Sequence, residues 1–276
     1  MKYVHEVDKS VKLQDLDTKK DGGFIQADAV KETLRLGQEL EELQSLMFAA
    51  GTHSVLIVLQ GRDTAGKDGS IRGLSRFLNI QGVHVKGFKV PTPEELAHDF
   101  LWRVHPHAPE KGSISIFNRS HYEDVLVVRV HGFAPEEVWK KRYDQISEFE
   151  QLLAQNNVII AKFCLSISKD EQEQRLIARE QEPKTAWKLS PNDWKERDFW
   201  DDYTAAYNDA LSKCSPKNAR WYVVPGDHKW FRDLAITNTL VEILKPYRKD
   251  WEAKLAKTAE TAKAALAEYR ATLKKV

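Results

Sequence analysis

Apolar positions recur along the chain in two rhythms. In residues 26–50, QADAVKETLRLGQELEELQSLMFAA, the residues Val30, Leu34, Leu36, Leu40, Leu43, Leu46 and Met47 fall at helical spacing and predict a helix. The following SVLIVLQ is a short unbroken apolar run, the pattern of a central parallel strand covered on both faces. The alternation then repeats. VHVKGFKV reads as a second strand, SISIF as a third, VIIAKFCLSIS as a fourth and RWYVVPG as a fifth. Between them, PTPEELAHDFLWRVH opens on prolines and shows helical spacing at Leu96, Phe100 and Val104. Residues 135–155, KDEQEQRLIARE and NDWKERDFWDDYTAAYNDALSK also read as helices, and two more finish the chain. Strands alternating with helices predict an α/β fold, with a central parallel five-stranded sheet, helices on both faces and right-handed crossovers. Residues 1–25 are expected to form an irregular arm, 26–248 one domain, and 249–276 a C-terminal helix.

Ligands of such sheets sit beyond the carboxyl ends of the strands. Three polar segments fall there: GRDTAGK, FNRSHYED and SISKD. The first is bracketed as Gly61, four residues, then Gly66-Lys67, between a strand and a helix, which is the spacing and context of a phosphate-binding loop. Its candidate phosphate contacts are Gly61, Arg62, Thr64, Ala65, Gly66, Lys67, Asp68, Gly69, Ser70 and Arg72. Glycine permits positive φ and close backbone approach, and the following helix N-terminus favours an anion. The usual loop carries Ser or Thr after the lysine as a metal ligand. Here Asp68 stands in that place, Ser70 follows two residues later, and a second acid, Asp63, lies within the loop. A carboxylate there either holds a cation against the phosphates or bonds the loop backbone, and the metal reading is preferred.

Further charge surrounds these strand ends. Arg119, Arg129, Arg179 and Lys188 are candidate phosphate contacts. Asn118 takes the position where an Asp is common, so Glu123 or Asp124 must supply any second metal carboxylate, with Asp63 and Asp124 taken as the pair. His121 is either a phosphate donor or a packing residue. EPKTAWKLSPNDWKERDFW, about 180–198, reads as a lid, where Trp187 and Lys188 could cover a base and a phosphate. Trp200, Tyr203, Tyr207 and Leu211 share helical spacing and read as core.

The formal net charge of +1 gives no global field toward nucleic acid or membrane, so anion binding must be local. Two cysteines make no disulfide framework and suit a reducing compartment. The N-terminal segment lacks an apolar stretch of the signal-peptide kind, and a cytoplasmic location is expected.

GRDTAGKDGSIRG, PTPEELAHDFLWR, IFNRSHYEDVLVVRVHG, WKLSPNDWKER and WYVVPGDHKWFR together resemble the polyphosphate kinase 2 family over roughly residues 25–250. FNRSHYED resembles its class III subgroup, associated with phosphorylating both AMP and ADP from inorganic polyphosphate. The resemblance implies a P-loop kinase fold akin to thymidylate kinase, with a helical lid, Mg²⁺ (or Mn²⁺) as cofactor, and a homo-oligomer. Polyphosphate, AMP, ADP, ATP and guanine nucleotides are the implied ligands. It places catalytic roles on Asp63, Lys67, Arg119, Glu123, Asp124 and Arg179, and makes Thr92, Asp99, Arg103, Asn118 and Glu123 candidates for the acceptor side. Two alternatives share the loop: an ATP-dependent kinase of nucleotides or small molecules, and a non-catalytic polyphosphate- or nucleotide-binding module. No NKxD base-reading motif of a GTPase switch is present.

Overall fold

A computed structural model describes residues 1–182 and 189–273 of the chain. In chain order its main elements are β1 (His5–Glu6), α1 (Gln26–Ala50), β2 (Ser54–Gly61), α2 (Lys67–Leu74), β3 (Val83–Gly87), α3 (Pro93–Leu96), β4 (Ile114–Asn118), α4 (Val127–Val130), α5 (Glu136–Gln155) and β5 (Val158–Ser166). They continue with α6 (Lys169–Gln181), α7 (Pro191–Lys195), α8 (Trp200–Lys213), β6 (Trp221–Pro225), α9 (Lys229–Leu244) and α10 (Arg248–Leu273). The sheet order is β1-β6-β5-β2-β4-β3. The five expected strands, β2 to β6, run parallel. A sixth comes from the arm, where β1 pairs antiparallel with β6. The arm is held by its buried residues Tyr3, Val4, Val7 and Val11.

All eight residues of β2 are buried, as a strand covered on both faces demands. Val55, Ile57 and Leu59 share one core with Leu36, Leu40, Leu43 and Met47 of α1 and with Leu234 and Leu240 of α9. Leu56 and Val58 share the other with Ile146 and Phe149 of α5 and Ala206 and Leu211 of α8. The chain leaves β2 toward β3 on one side and later returns to β5 on the other. The crevice at the carboxyl end of β2 is therefore a topological switch point.

The helix expected through Val104 is broken. Thr92 and Glu95 cap α3 reciprocally, and Asp99 accepts from the N–H groups of Leu101 and Trp102, so local side-chain bonds stop it after one turn. Pro106 then sits in a short 3₁₀ turn (His105–His107). α10 is anchored by buried Trp251, while Leu266, Tyr269 and Leu273 are exposed. Among the described residues no helix is long and apolar enough to cross a membrane.

One buried charge cluster braces the sheet. Lys162 of β5 donates to Glu150 Oε2 (2.5 Å), to Tyr122 Oη (2.8 Å) and to the Cys214 carbonyl (2.7 Å). His121 also meets Glu150, at 3.2 Å, which makes it a packing residue. This anchors the 3₁₀ turn His121–Val125 that presents Glu123.

Candidate active site

The phosphate-type loop is built where the sequence places it. β2 ends at Gly61, where an added Cβ would lie 2.7 Å from the Leu165 carbonyl oxygen. At Gly66, φ is +106°, and a Cβ would lie 1.9 Å from Arg232 Nη1. Thr64 also has positive φ, +65°, an uncommon conformation for a residue with a side chain. α2 starts at Lys67, so the first-turn N–H groups of Lys67, Asp68 and Gly69 have no intrahelical partner and face the loop with the positive end of the helix.

Lys67 curls back over the loop, its Nζ 2.6 Å from the Gly61 carbonyl oxygen and 3.1 Å from that of Arg62. Burial pushes its pKa down to about 8. Nearby Arg119 adds to that shift, and the carboxylates of Asp63, Glu123 and Asp68 oppose it. Ser70 Oγ and Thr64 Oγ1 are buried without a hydrogen-bond partner among the described residues, which leaves bonding capacity at the loop.

β4 brings the second half. Arg119 sits just past the strand with φ +61°. Its guanidinium donates to Asp63 Oδ1 at 2.6 Å and to Glu123 Oε2 at 3.2 Å. Burial works against its charge, but Glu123 and Asp63 hold its pKa above the usual arginine value. Gln60 fixes the other Glu123 oxygen at 2.9 Å. Asn118 donates to Asp68 Oδ1 at 2.8 Å, tying β4 to the first turn of α2. Asp63, Arg119 and Glu123 line a cavity with Trp200 and Tyr203. A larger cavity of about 250 Å³, also lined by Arg62, includes Leu13 and Leu16 of the arm in its wall.

Several expected contacts are directed elsewhere. Arg62 stacks 3.8 Å above the Trp200 ring and donates to Thr204 Oγ1 at 2.6 Å, so it braces the loop against α8. Arg129 is not part of the cluster: Asp209 (2.6 Å) and Tyr143 (3.0 Å) hold it, and it packs on Trp139. Asp124 does not meet Asp63. It is ion-paired with Arg142 at 2.9 Å, and burial raises its pKa to about 6 against the pull of Arg142 and Arg103. Consecutive residues on a 3₁₀ turn point different ways, so Glu123 faces the loop and Asp124 the neighbouring helix α5. Arg72 is exposed on α2. Thr92 and Asp99 spend their side chains on capping, and Arg103 donates to the Lys89 carbonyl at 2.9 Å. Arg179 pairs with Asp193 of α7 at 2.6 Å. Lys188 and Trp187 lie outside the described residues.

The sequence assigns no site role to three neighbours of the loop, Gln172, Trp200 and Tyr203, and Arg175 counts only as one of the basic residues near the strand ends. Gln172 and Arg175 reach its carbonyl oxygens from α6. Trp200 and Tyr203, read as core from their helical spacing, line the cavity, while Tyr207 and Leu211 are indeed buried. The 3.6-residue rhythm identifies a helix face but not which end of that face reaches the site.

Comparisons with known proteins bear on the family and the fold. The family model described as polyphosphate kinase 2 matches residues 25–252. An AMP/ADP-polyphosphate phosphotransferase of Meiothermus ruber is 50% identical over 210 residues, covering 76% of this chain and 79% of that protein. An ADP-polyphosphate phosphotransferase of Rhodopseudomonas palustris is 41% identical over 256 residues, covering 88% and 89%. The crystal structure of polyphosphate kinase 2 from Arthrobacter aurescens TC1 superposes with a TM-score of 0.85 at 37% identity, covering 94% of this chain and all of that one. With a phosphate loop at the switch point of a parallel sheet and Asp63, Lys67, Arg119 and Glu123 gathered around it, this chain belongs to the polyphosphate kinase 2 family.

Proposed function

We propose that the protein transfers phosphoryl groups reversibly between inorganic polyphosphate and adenine nucleotides, AMP to ADP and ADP to ATP, with guanine nucleotides as further acceptors. The observation that carries this reading is the convergence of Lys67, Arg119, Asp63 and Glu123 on one strand-end crevice. An acceptor phosphate oxygen is already ionised, so the reaction asks for no strong base. Positioning and charge neutralisation suffice. Lys67 and the first-turn N–H groups of α2 would bind the donor phosphates. Arg119 would move from its two carboxylates to the oxygens of the transferring group, a contact worth roughly 3–4 kcal/mol when such a donor is removed.

The residues fit a divalent cation. Asp63 and Glu123 come from two strand ends onto one guanidinium and offer oxygen donors only. Among the described residues no group of three or more His, Cys, Asp or Glu could hold a metal unaided. Mg²⁺ suits such a set, because it keeps waters and borrows phosphate oxygens. Asp63 and Glu123, rather than Asp124, are the residues that would hold it, with Mn²⁺ as substitute. When bound, the ion would neutralise charge on the transferring phosphoryl group. Arg179 and the segment around α7 would cover the site and exclude water. Two free, buried cysteines suit a reducing cytoplasm, and the exposed stripe of α10 suits a homo-oligomer.

The test supplies ADP, Mg²⁺ and long-chain polyphosphate without ATP, and AMP in a parallel reaction. ATP and ADP are the expected products. An ATP-dependent nucleotide kinase would leave polyphosphate intact, making ATP from ADP only with an equal amount of AMP and no ADP from AMP, and a binding module would retain polyphosphate without turnover.

A further inference from the structure

We propose that Gln172 and Arg175 of α6 are positioning residues for the phosphate donor, acting through the loop backbone. Gln172 Nε2 donates to the Asp63 carbonyl oxygen at 3.0 Å. Arg175 Nη1 donates to the carbonyl oxygens of Thr64 and Ala65 at 2.9 and 3.3 Å. Three successive loop carbonyls are thus taken by two side chains of one helix. The two stand three residues apart, so they share a helix face. Both are buried, at 3% and 9% exposure. The other arm of the Arg175 fork, Nη2, holds the carbonyls of Gly226 and Asp227 at 2.6 and 3.0 Å, and Nε is fixed by Glu171 at 2.6 Å.

The consequence follows from peptide geometry. A trans peptide is planar, and its C=O and N–H point in opposite directions. Drawing the oxygens of residues 63 to 65 toward α6 turns the following N–H groups away from it. The N–H of Ala65 closes the turn on the Arg62 carbonyl at 3.1 Å. Those of Thr64 and Gly66 have no hydrogen-bond partner among the described residues and are left for an anion. Without the clamp, carbonyl oxygens could rotate into the same space and repel phosphate. Thr64, held at φ +65°, is the residue most in need of outside restraint.

The clamp also touches the lid segment. Arg197, in the 3₁₀ turn after α7, donates to Gln172 Oε1 at 3.2 Å and to Glu173 at 2.6 Å. One helix therefore links the loop carbonyls to the segment that would cover the donor. A lysine cannot replace Arg175, because a single ammonium does not span carbonyls from two separate loops as a planar fork does.

The inference rests on phosphoryl transfer as the activity, and its test separates the two. Arg175→Lys and Gln172→Met are compared with the unaltered protein in steady-state transfer from polyphosphate to ADP, each substrate varied. Binding of tripolyphosphate is measured by calorimetry. For Arg175→Lys the donor KM and the tripolyphosphate Kd should rise about tenfold or more, and for Gln172→Met about two- to fivefold, the scale of losing a charged and a neutral hydrogen bond. The acceptor KM should stay within about twofold of the original. Donor parameters unchanged in a folded variant, or an equal rise for both substrates, would overturn the clamp. If Arg175→Lys fails to fold, Gln172→Met decides alone. Weaker tripolyphosphate binding by the variants supports the clamp even if no nucleotide is made, a result that would count against the activity instead.

Discussion

Lys67 should take up a proton when the phosphate chain binds. In the free protein its ammonium is buried, and its pKa is pushed down to about 8. A chain of phosphates placed beside Nζ supplies the missing negative charge and restores the protonated form. At pH 8 about half of the lysine is neutral in the free protein, so binding should draw in ~0.5 proton per site, against ~0.1 at pH 7. The sign fixes the pH dependence: the complex holds more protons than the free protein, so affinity must fall as pH rises through 8. If the lysine returns to its ordinary range, the weakening approaches tenfold per pH unit once pH exceeds 8. Tripolyphosphate carries two coupled terminal phosphates that titrate in separate steps, so the lysine's proton uptake is read as the difference between the unaltered protein and Lys67→Met. The assay is calorimetric titration of tripolyphosphate at pH 7 and 8 in buffers of different ionisation enthalpy. The same proton exchange at pH 8 by the unaltered protein and Lys67→Met would refute the reasoning.

Four other substitutions probe separate parts of the account. Glu123→Gln should raise the Mg²⁺ concentration for half-maximal activity about tenfold or more, while Asp124→Asn should move it less than about threefold and act on thermal stability instead, because Asp124 belongs to Arg142. Gly66→Ala should cut kcat/KM by about 100-fold or more, since φ +106° is strained for a residue with a side chain and the added Cβ, 1.9 Å from Arg232 Nη1, forces that buried arginine to shift. Glu150→Gln should destabilise the fold by about 3–5 kcal/mol in urea titration, because Lys162 is fully buried and loses its counter-charge.

How far the chain could be read from its sequence depended on the kind of signal. The apolar run 54–60 between a helical pattern and a glycine-bracketed loop located the central strand, the loop and the helix after it. Asp63, Lys67 and Arg119 followed, because parallel strands put their carboxyl ends together. Orientation within a turn was not legible. Glu123 and Asp124 are adjacent and chemically alike, and only the fold shows that one meets Arg119 and the other Arg142. Arg129 failed for a related reason: basic residues near a strand end are common, and an acid 80 positions away, Asp209, claimed this one. Gln172 carried no signal at all, since its role lies in one backbone contact 109 positions distant. The sixth strand was missed because two residues, His5 and Glu6, are too few to show alternation.

The central claim is that the crevice around Lys67 moves a phosphoryl group from an inorganic phosphate polymer to a nucleotide. Phosphorus-31 NMR of the protein with Mg²⁺, ADP and polyphosphate, free of ATP, follows both partners at once. The account expects the β- and γ-phosphate signals of ATP to grow while internal polyphosphate signal is lost in equal amount, with neither change for Lys67→Met. A spectrum in which polyphosphate stays intact and no ATP forms, from folded protein that binds both substrates, would contradict it.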